Sequence, residues 1–174
     1  MRLRDTIMLG AAAAMLTATT ASATTLKKMT FREKAKDAEI GVVATATSSA
    51  TEVVDGTVYT LTTFAVSDVA FGDAGRTITV RTPGGARPNA AIRVSEVVPG
   101  APTFFSGTTN LLLLDEADGA YEVVGFNQGV FGVTDISGTK QVMFPEDHGG
   151  PVSVDEAFSI LNDERSAADA EMDQ

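Results

Sequence analysis

Short turn dipeptides between runs of β-branched residues constrain the fold of this chain most strongly. Asp55-Gly56, Asp118-Gly119 and Ser137-Gly138 each separate two segments that are rich in valine, threonine, isoleucine or leucine. A two-residue loop of this kind needs backbone angles with positive φ, which glycine and small polar residues adopt at low cost. These dipeptides therefore predict a series of β-hairpins.

The segments beside the turns have the alternation of β-strands. In residues 58–66, the even-numbered side chains are expected on one face of the strand and the odd-numbered side chains on the other. We expect about six to eight strands at roughly 10-residue spacing, with a helix near each end. This pattern predicts a mainly β fold, a small antiparallel OB-like barrel or a sandwich, with an N-terminal and a C-terminal helix. The predicted core consists of Val42, Val58, Phe64, Val66, Ile78, Val80, Val94, Leu112, Leu114, Val123 and Phe131.

Two capping-box signatures predict where the helices begin. Thr30 is followed three residues later by Glu33, and Ser153 by Glu156 at the same spacing. The apolar faces at helical spacing are Phe31, Ala35 and Ala38 in the first helix, and Val154, Phe158 and Leu161 in the second. The acidic, alanine-rich chain after Arg165 is expected to fray.

The first 23 residues read as a secretory signal peptide. Two arginines precede an uncharged, mostly apolar run, and Ala21–Ala23 forms a small-residue cleavage site. The run is shorter than the roughly 20 residues of a membrane span, so an uncleaved anchor is the lesser alternative. We expect a β domain over residues 24–152, a C-terminal helix with an acidic tail over 153–174, and a secreted or periplasmic bacterial location.

Composition narrows the class of protein further. The chain contains no cysteine, so disulfides and lipoprotein acylation are both excluded. Its net charge of −10 disfavours nucleic acid and anionic membranes as partners. One stretch departs from this acidity, because no acidic residue occurs from Ala74 to Ser95 while four arginines do.

Several motifs resemble those of a family of uncharacterised exported bacterial proteins. They are "DAEIGVVA", "ITVRTPGG", "VPGAPTFFSG", "LLLLD" and "YEVVGFNQGVFGV", and with the helix that precedes them the resemblance covers roughly Phe31 to Val133. More distantly, the organisation is similar to the OB-like barrel of netrin-like modules and tissue inhibitors of metalloproteinases. The metal-ligating N-terminal cysteine of those inhibitors has no counterpart here, so their mechanism does not carry over. Thr108 stands where the family usually has an acidic residue.

Residues with catalytic or metal-binding potential are few. His148 is the only histidine, with Glu146 and Asp147 beside it, and these are too few for a transition-metal centre. The acidic run Asp115 to Gly119 suggests weak calcium binding, but the hairpin turn already accounts for it. Ser106 lacks a histidine base nearby in the sequence. We therefore expect no metal, no cofactor and no catalytic residues.

The stretch "VRTPGGARPNAAIR" supplies the candidate binding residues. We expect Thr77–Thr82 and Ala91–Val97 to pair around its glycines, with Val80 opposite Ile92 and Ile78 opposite Val94. The glycines then form either an ordinary turn or a nest of backbone N–H groups that binds an anion. A phosphate loop is excluded because a strand, not a helix, follows the glycines. The candidate residues are Arg81, Gly84, Gly85, Arg87 and Arg93.

Three functions are compatible with these features. The first is a non-catalytic accessory module that binds another exported protein. The second is a hydrolase that cleaves cell-wall or extracellular polysaccharide through paired carboxylates from separate strands. The third is a structural envelope or matrix protein, which differs from the first in associating with itself. The missing catalytic residues and the resemblance favour the first.

Overall fold

The computed structural model describes residues 26–89, 92, 94–117, 119–146 and 149–172. The predicted signal peptide lies outside the described residues, as do Arg93, Asp118, Asp147 and His148. In chain order the elements are α1 (Phe31–Asp37), β1 (Ile40–Val54), β2 (Thr57–Phe71), β3 (Thr77–Pro83), β4 (Gly85–Ala86), β5 (Ser95–Glu96), β6 (Thr109–Ala117), β7 (Ala120–Val123), β8 (Val130–Ile136), β9 (Thr139–Met143), β10 (Pro151–Ser153) and α2 (Val154–Met172).

The predicted hairpins are present. Asp55 and Gly56 have φ of 50° and 85° and connect β1 to β2, and Ser137 and Gly138 have φ of 55° and 82° between β8 and β9. In each of these two turns, both central residues have left-handed backbone angles, and the twist of such a turn matches the twist of the flanking strands. Strands β6 and β7 pair antiparallel on either side of Gly119, whose φ is 78°. The turn dipeptides therefore identified each hairpin correctly.

The strands form a sheet that closes on itself. The order β1-β2-β3-β7-β6 returns to its start because β6 also pairs with β1, while β8, β9 and β10 continue beyond β6. The mainly β fold with a helix near each end, predicted from the sequence, is confirmed. One contact makes the sheet mixed rather than purely antiparallel, because β3 and β7 run parallel where Val80 faces Tyr121.

Strand β6 divides the hydrophobic core into two halves. Its four leucines are all fully buried, and successive strand side chains point to opposite faces. Leu112 and Leu114 pack inside the ring with Phe64 and Val80. Leu111 and Leu113 pack on the other face, where the helices cover the sheet with Phe31, Ala35, Ala157 and Leu161.

Most of the predicted core is buried. Val66 is only partly buried, and Val94 is wrong, since half of its surface is exposed. The expected pairing of residues 77–82 with 91–97 is also wrong. Both edges of β3 are occupied, by β2 on one side and β7 on the other, so no edge remains for residues 91–97. A short ribbon forms instead between β4 and β5.

Both predicted helices begin at their predicted caps. The Glu33 N–H donates to Oγ1 of Thr30 at 3.1 Å, the Thr30 N–H donates to the Glu33 carboxylate at 2.7 Å, and the Glu156 N–H donates to Oγ of Ser153 at 3.3 Å. The expectation that the chain frays after Arg165 is wrong, because α2 continues to Met172. Ala168 is buried in this last part of the helix, so tertiary packing holds it. No helix among the described residues is both long and apolar enough to cross a membrane.

Candidate binding surface

The side chain of Arg81 binds other residues of the protein. Its Nε and Nη2 donate to the same oxygen, Oε1 of Glu122, at 3.0 and 2.8 Å. Its guanidinium carbon lies 5.3 Å from the centroid of the Tyr59 ring, and only 14% of the side chain is exposed. The arginine therefore joins β2, β3 and β7, and its charge is largely compensated.

The glycine pair lets the chain cross closely over the β1–β2 hairpin. Gly84 and Gly85 have φ of 94° and 128°, which disfavours any L side chain. A Cβ atom on Gly84 would lie 2.8 Å from the carbonyl oxygen of Glu96, and one on Gly85 would overlap the Thr60 hydroxyl. The Gly84 N–H donates to the Val58 carbonyl at 2.7 Å, so this amide is not available to an anion.

Arg87 follows the glycines at the far end of the same hairpin. Its Nη2 donates to the Gly56 carbonyl at 3.1 Å and lies 4.0 Å from Oε2 of Glu96. Its backbone N–H donates to the Val94 carbonyl at 2.8 Å, which continues the β4–β5 ribbon. The structure thus brings Gly84, Gly85 and Arg87 together, places Arg81 beside a different cavity, and leaves Arg93 outside the described residues.

A cavity of about 300 Å³, which we call the mouth cavity, opens beside the glycines. Phe104 closes its inner end by packing edge-on against Phe64, with ring centroids 5.0 Å apart. Its lining includes the apolar residues Val97 and Val98 together with several serines and threonines, and Glu96 is its single carboxylate. Arg81 lies in a second cavity of about 320 Å³ with Tyr59, Glu122 and Phe126.

The segment that covers the mouth cavity also carries four exposed apolar side chains. We call them the apolar crown, and their exposed fractions are 78% for Ile92, 50% for Val94, 82% for Val97 and 68% for Phe105. This surface was not predicted from the sequence, because Val94 was expected in the core and Ile92 was expected to pair with Val80 in a neighbouring strand. The density of glycine and proline in residues 83–102 was the available signal, because such chain forms loops rather than strands.

The acidic run after Leu114 belongs to the β6–β7 hairpin. Asp115 pairs across the strands with Glu122, and Glu116 with Tyr121. Adjacent strand residues point to opposite faces, so the carboxylates of Asp115 and Glu116 diverge. Burial raises the pKa of Tyr121, and the charge of Glu116 adds to this effect. Among the residues that the structure describes, no three acidic or histidine side chains form a group able to hold a metal ion.

Ser106 and Thr108 stabilise the loop before β6. The Ser106 hydroxyl donates to the Thr47 carbonyl at 3.0 Å, and the Thr108 hydroxyl donates to the Phe105 carbonyl at 2.7 Å. These bonds fix the loop against β1 and hold Phe105 at its exposed position.

Comparison of the chain with protein-family models, with curated proteins and with solved structures gave no match.

Proposed function

We propose that this protein is a non-catalytic binding module that recognises another exported protein through the apolar crown. The observation that carries the proposal is the concentration of Ile92, Val94, Val97 and Phe105 as exposed side chains in one short segment. Burying a valine or phenylalanine side chain fully is worth about 1.5–3 kcal/mol. Grouped exposed apolar side chains are typical of interaction sites in soluble proteins.

The charged residues near the crown indicate which kind of partner surface would complement it. Arg87 is exposed beside the crown segment, where Glu96 lies 4.0 Å from it, and no acidic residue occurs from Ala74 to Ser95. A partner with an apolar centre and carboxylates at its rim would complement this region. That the partner is exported rests on the signal peptide predicted for residues 1–23.

Two aspects of the fold support the proposal. We propose that the domain is OB-like, which the closed order β1-β2-β3-β7-β6 supports. The three described cavities contain at most one carboxylate each, Glu96 in one and Glu122 in another. Glycoside hydrolysis needs two carboxylates that flank one bond, so none of these cavities favours the hydrolase alternative.

The test is capture of exported proteins by the purified chain and its variants. In Val97→Ser combined with Phe105→Ser, two crown side chains become polar, and we expect capture of the partner to fall at least about tenfold. Ile136→Ser is the matched control, since Ile136 is 42% exposed at the far β8–β9 hairpin. Arg87→Glu should weaken capture at low salt more than at high salt.

Equal capture by the crown variant and the control variant would contradict the proposal. Failure to recover any protein repeatedly would contradict it as well. Association of the chain with itself, seen as concentration-dependent sedimentation and abolished by the crown substitutions, would favour the structural envelope protein instead.

A further inference from the structure

The outer edge of β1 is covered along only half of its length. Strand β6 pairs with β1 from Ile40 to Thr45, and the loop before β6 extends this cover by one residue. There the Ala46 N–H donates to the Thr108 carbonyl at 2.9 Å, and the Gly107 N–H donates to the Ala46 carbonyl at 2.7 Å. A bulge follows between Ala46 and Ser48. We call residues 48–54, beyond the bulge, the open edge.

The ladder shows which backbone groups of the open edge point outward. Val54 and Thr57 flank the two-residue turn and form a hydrogen-bonded pair, so bonded pairs recur at every second residue. The Val58 carbonyl, opposite Val53, accepts from Gly84 at 2.7 Å and therefore points away from β1. No backbone bond from any described residue reaches the outward-facing N–H and C=O groups of the open edge, which belong to Ser49, Thr51 and Val53.

The mouth cavity and the apolar crown lie directly beside this edge. Ser49 lines the cavity together with Val97 and Phe104. Phe105 is next to Ser106, which is bonded to β1 at Thr47. A strand added to the open edge would therefore present every second side chain to an apolar surface and leave the others in water.

We infer that the open edge binds an extended segment of the partner protein by strand addition. This deepens the proposed function and rests on it, because the same partner would contact the crown and pair with β1. Backbone bonds to Ser49, Thr51 and Val53 would supply affinity, and the mouth cavity would select aliphatic side chains at alternate positions. Arg87, beside the Asp55–Gly56 turn, favours an acidic residue at the corresponding end of the segment.

The composition of the edge fits a heterologous partner. Residues 48–54 contain no lysine and no proline, the residues that commonly guard exposed edges against pairing. Their single charge is Glu52. Self-pairing would bring together two chains that each have a net charge of −10, and this repulsion disfavours a second copy of the chain as the occupant.

The experiment uses a displayed library of random linear peptides, selected on the purified full chain. Amide hydrogen exchange is then measured residue by residue with the strongest binder. We expect exchange at Ser49, Thr51 and Val53 to slow at least about tenfold when the peptide binds. The amides of Ala50 and Glu52 bond to β2 and should be protected in both states. This alternating pattern is specific to strand addition.

Two variants of Ser49 separate its backbone from its side chain. Ser49→Pro removes an outward N–H without removing a β1–β2 bond, and peptide affinity should fall about tenfold. Ser49→Ala keeps the N–H and changes only the side chain that lines the mouth cavity, so its affinity should fall much less than that of Ser49→Pro. If Ser49→Pro fails to fold, the exchange pattern of the wild type still decides the question.

The inference is overturned if the library yields no binder, if the three amides exchange equally fast with and without peptide, or if Ser49→Pro binds normally. Protection that rises with protein concentration in the absence of peptide would show self-pairing and overturn it too. Loss of protein capture in the crown variant, with unchanged edge exchange on partner binding, would uphold the proposed function and reject only strand addition. Equal capture of the partner by the crown variant and by the control variant would reject the proposed function itself.

Discussion

The guanidinium of Arg165 on α2 lies 4.1 Å from the centroid of the Phe71 ring on β2. Its Nη1 also donates to the carbonyl oxygens of Ala35 and Ala38 at 2.9 and 2.6 Å. These carbonyls belong to the C-terminal end of α1, where no backbone N–H remains to bond them. One side chain thereby joins both helices to the sheet.

Arg165→Met should lower the free energy of unfolding by about 2–3 kcal/mol, because it removes two charged hydrogen bonds and a cation–π contact. Urea denaturation followed by circular dichroism measures this difference. Lys140→Met is the control, since Lys140 is exposed on β9 and should change stability little. A loss below about 0.5 kcal/mol in Arg165→Met would show that the three contacts are not coupled to folding.

Gly85→Ala tests whether the glycine pair is required by close approach or only by its backbone angle. Gly138 also has positive φ, 82°, but a Cβ there would contact nothing within 4 Å. We expect Gly138→Ala to cost about 1 kcal/mol from φ alone. Gly85→Ala should cost about 2–4 kcal/mol, because the added methyl also collides with Thr60. Equal losses in thermal denaturation would contradict the steric explanation.

The local features of this fold are readable in the sequence, while the pairing of distant strands is not. The Asp55-Gly56 turn and the Thr30 cap depend only on neighbouring residues, so their chemistry identifies them. The position of β3 depends on β7, which is about 40 residues away and parallel to it. Because β7 occupies that edge, the expected partner at residues 91–97 is displaced.

In the candidate site too, local features could be predicted from the sequence, whereas contacts between distant strands could not. Gly84 and Gly85 were recognised as a backbone requirement, but the sequence suggested a turn, whereas the structure shows a crossing over Thr51 and Thr60. Arg81 was predicted as a candidate binding residue together with Arg93. Its pairing with Glu122 on β7 could not be foreseen, because it depends on the same parallel contact that closes the ring.

The capping box of α1 should make stability depend on pH below neutrality. The backbone N–H of Thr30, and secondarily Lys27, lower the pKa of Glu33 from 4.5 to about 2. A carboxyl with a lowered folded-state pKa contributes stability above its unfolded value and loses that contribution as pH falls through the folded value. The difference in melting temperature between wild type and Glu33→Gln should therefore be full at pH 6 and shrink between about pH 4.5 and 2. A difference that stays constant over this range would exclude Glu33 as the titrating group.

A double-mutant cycle on Arg81 and Glu122 should give a coupling energy of about 1 kcal/mol. The pair has good geometry, but Glu122 is 46% exposed, so water screens much of the attraction. Arg81→Met should cost more than Glu122→Gln, because it also removes the contact with the Tyr59 ring. Unfolding free energies of wild type, both single variants and the double variant measure the cycle. A coupling near zero would show that the ion pair does not hold β3 against β7, and charge reversal at Arg81 would then become a usable probe of partner binding.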